Sequence, residues 1–178
     1  AADAENRYVL TCKNTDKICI FTNKGQMHLL KVLDLPFGKF RDKGTPIDNL
    51  SNYNSSEENF VYITNLGSIS TSKLVFGTKA SMLKMVDGAE FDVAKRTTAA
   101  TKLNENDEVL FVQRIEGDET IVMQSEKDFF LRIEVAAIPE KKKGAVGVRG
   151  MKLGAGDTLC GIYLLGNGEN VNVEVKGK

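Results

Sequence analysis

Residues 119–165 read ETIVMQSEKDFFLRIEVAAIPEKKKGAVGVRGMKLGAGDTLCGIYLL. A β-patterned run, ETIVMQ (119–124), is followed by a polar turn and a second run, FFLRIEV. A long basic connection then leads to a third run, TLCGIYLL (158–165). Val, Ile, Leu and Tyr concentrate in the runs, and turn-forming residues bound them, which is the signature of short strands. The connection is the unusual part. From Lys141 to Asp157 it holds five cations and five glycines against one carboxylate.

The same order recurs twice upstream. With Lys24, Lys79 and Lys127 placed in register, each follows a β-run and a turn: CIFTNKG, LVFGTKA and IVMQSEKD. A second strand follows each time, QMHLLKV, SMLKMVD and FFLRIEV, and then a polar connection ending in a leucine and an acid. The first two connections end in NLSNYNSSEENFVYIT and KLNENDEVLFVQ. The register shifts are 55 and 48 residues, a period that suits a four-stranded propeller blade. The remaining runs are KICIFT (17–22), NFVYIT (59–64), KLVFGT (73–78) and EVLFVQ (108–113). Repeats are therefore expected at roughly 17–64, 73–113 and 120–165. The best helical segment, TTAATKL (97–103), is too short to change the class. RYVLTCK at the start is expected to be the last strand of a preceding blade, and ENVNVEV near the end one further strand. The reading is an all-β chain of about four blades of four strands each. The alternative is a β-sandwich whose repeats are accidental.

Composition narrows the function. With 42% hydrophobic and 27% charged residues the chain can bury a core, and no apolar run is long enough to span a membrane as a helix. The chain opens AADAE without an initiator Met, so a piece of a longer protein is expected. Cys12, Cys19 and Cys160 lack metal-ligand spacing and read as small buried thiols of a reducing cytoplasm. His28, the one histidine, reads as a surface or edge-strand residue. Nucleophilic triads and most zinc sites need more than these residues offer, and a phosphate-binding P-loop motif is absent. This chain is expected to carry no catalysis of its own.

Three features of residues 119–165 resemble a blade from the C-terminal domain of bacterial type IIA topoisomerase A subunits, those of gyrase and topoisomerase IV. They are the strand–turn–strand unit ending in a cation (FFLR), the glycine-punctuated GVRGMKL, and the L-x-x-x-D step before a β-run. The second repeat keeps KASMLK and KLNENDEVLFV. The first keeps TNKGQMHLLK and a shorter basic stretch, KFRDKG. The resemblance runs from about Arg7 to Val175. It implies a single β-pinwheel over 1–178, a propeller-like disc whose neighbouring blades exchange a strand and around whose rim duplex DNA bends. It also implies a catalytic tyrosine outside this chain, Mg²⁺, and ATP on a partner subunit. The implied partners are double-stranded DNA together with the remainder of the A subunit, plus the ATPase B subunit, in the cytoplasm. Gyrase A domains carry a box of the form QRRGGKG, to which the nearest match here is EKKKGAVG (140–147). That departure, with the small number of blades, tilts the resemblance toward a topoisomerase IV A subunit or a truncated gyrase domain.

The residues themselves point to a polyanion. Glycines 144, 147, 150, 154 and 156 let the backbone approach another surface closely. Lys141, Lys142, Lys143, Arg149 and Lys152 supply charge suited to phosphate oxygens. Lys84 and Arg132 stand five residues after their register lysines. In the first repeat that place is Leu29, with Lys31 two residues further on the same strand face. Lys39, Arg41, Lys43, Lys95 and Arg96 in the connections extend the track. Aromatics are few and mostly fall in β-runs, so duplex backbone is favoured over stacked single strands.

The chain is neutral overall, with 24 Lys+Arg against 24 Asp+Glu and a pI of about 6.8. Its acids cluster at EENF, NENDE and EGDE, expected to be blade-end turns away from the cations. A local field then does the work. Bending 20–30 base pairs costs about 1–6 kcal/mol, so wrapping is expected to fade as salt rises. The alternative function is a propeller-type protein-interaction scaffold, marked by an exposed apolar patch. A β-sandwich enzyme ranks third.

Overall fold

Alternation along each run decides what the strands do, because successive side chains leave a strand on opposite faces. The computed structural model describes residues 8–176. Its strands in chain order are β1 (Lys17–Thr22), β2 (Gln26–Lys31), β3 (Phe60–Asn65), β4 (Lys73–Thr78), β5 (Met82–Asp87), β6 (Thr97–Ala99), β7 (Val109–Ile115), β8 (Thr120–Ser125), β9 (Phe130–Glu134), β10 (Val148–Arg149) and β11 (Leu159–Leu165). One helical turn, α1 (Leu66–Ile69), follows β3. The Asn65 side chain caps it, accepting from the Gly67 amide at 2.8 Å.

The strands form three antiparallel sheets, ordered β3-β1-β2-β6, β10-β5-β4-β7 and β11-β8-β9. Each is built on a tight hairpin, β1–β2, β4–β5 or β8–β9, with a later strand on the hairpin's inner edge. Those inner strands, β3, β7 and β11, pack side by side, β7 between the other two.

Two apolar cores lie between neighbouring sheets. Cys19, Phe21, Met27 and Leu29 of the first sheet meet Leu74, Phe76, Val86 and Val112 of the second, with Phe91 filling the centre. Phe21 and Phe91 meet edge to face at 5.0 Å between ring centroids, the arrangement that aromatic quadrupoles favour. Val75 and Leu83, on the other face of the second sheet, meet Ile121, Met123, Leu159 and Ile162 of the third. The middle sheet is buried on both faces. That is why Leu74, Val75 and Phe76 read as an unbroken apolar run.

The outermost strands come from the neighbouring repeat. β6, which follows the second hairpin, pairs with β2 of the first, Thr97 opposite His28 and Ala99 opposite Gln26. β10, which follows the third hairpin, pairs with β5 of the second, Val148 opposite Leu83. Bonds on either side extend both ladders. Leu29 N donates to Arg96 O (2.8 Å), Ala100 N to Gly25 O (2.8 Å), Lys141 N to Met85 O (2.8 Å) and Gly150 N to Ser81 O (2.8 Å). Strand exchange is thus present twice.

Several expectations change. The described residues hold three sheets, not about four, because neither end pairs: residues 8–14 and 166–176 form no strand. Arg7 lies outside the described residues. TTAATKL contains a donated strand, β6, rather than a helical fragment. His28 is 3% exposed, with Nε2 2.7 Å from Glu58 Oε1 and Nδ1 2.9 Å from Thr97 Oγ1, so it is a buried tie to the donated strand rather than a surface residue. Cys19 is buried, which pushes its thiol up to about 12, but Cys160 is exposed and Cys12 half-buried.

The surface that the basic loop's glycines approach is the protein's own. A Cβ on Gly147 would overlap the Leu83 carbonyl oxygen, and one on Gly150 would stand 2.5 Å from Leu83 Cδ1. Gly144 has open space around it. Gly147→Ala is expected to destabilise the fold by roughly 1–3 kcal/mol, as overpacking against backbone does. Gly144→Ala should stay within about 0.5 kcal/mol of the parent. Chemical denaturation of the two variants side by side checks the contrast.

Candidate nucleic-acid interface

Strand exchange decides where the cations go. Lys95 and Arg96 immediately precede β6, and Arg149 lies in β10, so both groups line the outer edge of the sheet that receives the strand. In the first sheet they meet the end of the hairpin, where Lys17 stands directly opposite Lys31. Like charges opposed across a ladder are unfavourable, which leaves this end of the sheet positive. Lys17, Lys31, Lys95 and Arg96 border a hollow of about 220 Å³ floored by Leu29 and Val93. Its nearest carboxylates are Asp34 on the lining and Asp92, 3.9 Å from Lys17. Lys17 is a member that sequence reasoning missed, since it opens its β-run rather than following the turn. Arg96 is steadied by a bond from its guanidinium to Leu50 O at 2.9 Å.

The basic loop before β10 is ordered by the second repeat. Lys143 is half-buried: its amide donates to Glu90 Oε2 and its ammonium to Glu90 O, both at 3.0 Å. Lys142 lies 3.4 Å from Glu90 Oε1. Lys141, Arg149 and Lys152 are exposed and, among the described residues, have no carboxylate partner. The same holds for Lys31, Lys39, Arg41, Lys43 and Lys95. Arg41 stacks on Phe40, 5.6 Å from its ring centroid. Arg132 is exposed on β9 and donates from Nε to Thr120 Oγ1 at 3.2 Å. Three other strand and turn cations behave differently. Lys24 and Lys79 both bond Glu108, at 3.2 and 2.6 Å, holding its carboxyl below the usual range. Lys73 pairs with Glu140 at 2.6 Å.

Lys84 does not belong to the surface set. It is 1% exposed. Its ammonium lies against the Phe76 ring, 5.3 Å from the centroid, and donates to four carbonyls: Lys143 and Ala145 at 2.9 Å, Lys142 at 3.2 Å and Ala100 at 3.3 Å. Burial pushes its pKa down to about 8, with the Glu90 charge pulling the other way, so it is still an ammonium at neutral pH. The error in reading it came from register. Ile20 faces His28, Phe76 faces Lys84 and Met123 faces Leu131, so 28, 84 and 131 are equivalent. Lys79 follows its strand one residue sooner than Lys24 and Lys127 follow theirs. Counting five from it therefore lands on the opposite face.

The acids are only partly apart from the cations. Glu58 is buried against His28, and Glu119 is buried accepting from the Gly117 amide at 2.9 Å. Among the described residues no group of three or more His, Cys, Asp or Glu is placed to hold a metal ion, and no helix is long and apolar enough to cross a membrane.

A family model described as "DNA gyrase C-terminal domain, beta-propeller" matches residues 16–53, 72–116 and 119–165. The chain is 31% identical over 158 residues to the DNA gyrase A subunit of Lawsonia intracellularis, covering 88% of this chain and 19% of that one. It is 30% identical over 147 residues to that of Clostridium acetobutylicum, covering 82% and 18%. The chain thus spans about a fifth of the length of these relatives. Among solved structures it resembles a C-terminal domain of DNA topoisomerase IV, with a TM-score of 0.82 at 21% identity, covering 88% of this chain and 49% of that one. It also resembles a DNA gyrase A C-terminal domain, with a TM-score of 0.63 at 22% identity, covering 87% and 50%.

Replacing Lys84 by methionine keeps its bulk but takes the ammonium from four carbonyls. Lys142 O keeps the Ala145 amide and Ala145 O keeps Lys102 N and Thr101 Oγ1, while Lys143 O and Ala100 O lose their side-chain donor. Lys84→Met is expected to cost on the order of 3 kcal/mol and to loosen residues 141–147 selectively. Hydrogen exchange should show faster opening there than in β1–β2.

Proposed function

The chain belongs to the DNA gyrase C-terminal domain family, and from that premise we propose that it binds and bends duplex DNA along its outer sheet edges without reading base sequence. The observation that carries this reading is the charge pairing. Lys24, Lys79, Lys73 and Arg114 are matched to carboxylates, whereas the cations flanking the donated strands are exposed and mostly unmatched, as Lys31 beside them is. Unmatched charge held on a rigid edge suits phosphate oxygens, which supply most of the affinity in sequence-independent binding. A neutral chain can do this because binding responds to the local field.

Within a longer A subunit, the domain would steer the DNA segment that the enzyme handles for supercoiling, relaxation or decatenation. Cleavage would fall to a tyrosine elsewhere in that subunit, with Mg²⁺ and with ATP on a B subunit, in the cytoplasm. This chain's share would be positioning rather than bond breaking. A second reading, a protein-interaction scaffold, is favoured by one observation: Phe37, Phe40 and Phe129 are 107%, 92% and 62% exposed, more apolar surface than the sequence suggests.

The test is binding to labelled duplexes of about 40 and about 140 base pairs, the longer near one persistence length, across a salt series. The parent should prefer the longer duplex and weaken steeply with salt. Changing Lys141, Arg149 and Lys152 to alanine should lower the slope of log K against log salt by about 0.9 for each phosphate no longer neutralised. Changing Lys24, which pairs with Glu108, should leave the slope as it is. Absence of binding at low salt, or equal slopes for all variants, would overturn the reading.

A further inference from the structure

The three hairpins end in equivalent corners, and the corners differ in charge. Register places Lys17 opposite Lys31 in the first sheet, Lys73 opposite Asp87 in the second and Thr120 opposite Glu134 in the third. The donated connections widen the contrast. Leu29 N donates to Arg96 O in the first sheet and Met85 N to Pro139 O in the second. Lys95 and Arg96 therefore arrive where the second sheet receives Ile138 and Pro139, and there Glu140 goes on to pair with Lys73 at 2.6 Å. The second and third corners each set a carboxylate opposite the first strand. The first corner gathers cations from three directions instead.

Those cations surround a concave space. The hollow of about 220 Å³ has Leu29 and Val93 as its floor and exposed Ala94 on its wall. Leu29 is buried in the first core and Val93 packs against that core, so the floor is rigid. The walls are fixed as well. Val32 N donates to Asp16 O at 3.0 Å and Leu29 N to Arg96 O at 2.8 Å. The Arg96 guanidinium is held by Leu50 O at 2.9 Å and uses only part of its donor fork there. Asp34 on the lining and Asp92, 3.9 Å from Lys17, offset part of the charge of Lys17, Lys31, Lys95 and Arg96, which leaves two positive charges in excess. Asp16 is engaged elsewhere, accepting from Lys13 N at 2.7 Å and Asn65 Nδ2 at 2.9 Å.

We propose that this corner is a site for a small organic phosphate monoester, its phosphate among Lys17, Lys31, Lys95 and Arg96 and its organic part on Leu29 and Val93. Charge selects the monoester. Near neutral pH such a group carries about −1.5 to −2, close to the local excess, whereas each phosphodiester of a duplex carries about −1. The floor selects an ester over inorganic phosphate, because apolar surface gains nothing from a bare anion. Size selects a small one, since sites for larger organic ligands run from about 300 Å³ upward. The concave shape concentrates the field of the cations on the space between them. This site stands apart from duplex binding, although a bound ester competes with a duplex for Lys31, Lys95 and Arg96.

Calorimetric titration of the chain with phenyl phosphate is the test, beside inorganic phosphate and the monoanionic diester methyl phenyl phosphate. Phenyl phosphate should saturate and bind about tenfold tighter than either comparator, one of which lacks the apolar part and the other a charge. Deoxyribose 5-phosphate, and a duplex with and without 5′-phosphates, distinguish a free sugar phosphate from a nucleic-acid end as the source of the ester. Ala94→Glu, which sets a carboxylate in the hollow, and the pair Lys31→Ala with Lys95→Ala should each weaken phenyl phosphate by about tenfold or more. Lys24→Ala, outside the hollow and paired with Glu108, should leave it unchanged. Circular dichroism checks that each variant folds. Phenyl phosphate that fails to saturate, that binds no tighter than inorganic phosphate, or that ignores both hollow variants would overturn the proposal. Duplex binding measured on the same samples separates the two readings: if it persists, only the corner site is lost.

Discussion

An antiparallel hairpin leaves open two edges of unsatisfied backbone groups, and the way this chain closes them organises everything else. The inner edge of each hairpin takes a strand from its own repeat; the outer edges of the first two take a strand from the next. Because the donor belongs to the following repeat, its whole connection must cross to the neighbouring sheet. The cations flanking the donated strand cross with it. A charged outer edge is therefore a by-product of sheet closure, and the two cores between the sheets fix its spacing.

Lys84 shows how the crossing is held. A loop rich in glycine and like charge has little reason to adopt one conformation. Here four carbonyls converge on one buried ammonium, Gly147 and Gly150 lie flat on Leu83, and Lys143 is fastened to Glu90. The positive charge doing this structural work sits inside. Those left outside, Lys141, Arg149 and Lys152, are free to meet a ligand. In the first sheet the corresponding tie is His28, held between Glu58 and the donated Thr97. The two ties use different chemistry at one register position.

Much of the fold could be read from the sequence because long strands declare themselves. KICIFT, KLVFGT and TLCGIYLL combine β-branched and aromatic residues with bounding turns, and each became a strand. The donated strands could not be read. TTA and VR are too short to show a period, and their pairing is set by tertiary contacts rather than propensity. The site suffered from the same blindness. Lys84 reads as a surface cation because its register lysine follows its strand one residue sooner than in the other repeats, and a single step in register exchanges the faces of a strand. The exposed connection cations were legible because charge clustered between β-runs needs no register to find.

Neutral net charge and a charged edge are compatible because the carboxylates are spent locally: Glu108 on two turn lysines, Glu116 on Arg114, Glu140 on Lys73. The central claim is that the remaining cations hold DNA on a curved path. The most direct measurement is the linking number of a nicked circular duplex resealed by a ligase in the presence of this chain, then stripped of protein. A curved path should shift the topoisomer distribution in proportion to the amount of chain bound, and the shift should vanish as salt rises. A distribution that does not move while the chain is demonstrably bound would contradict the account.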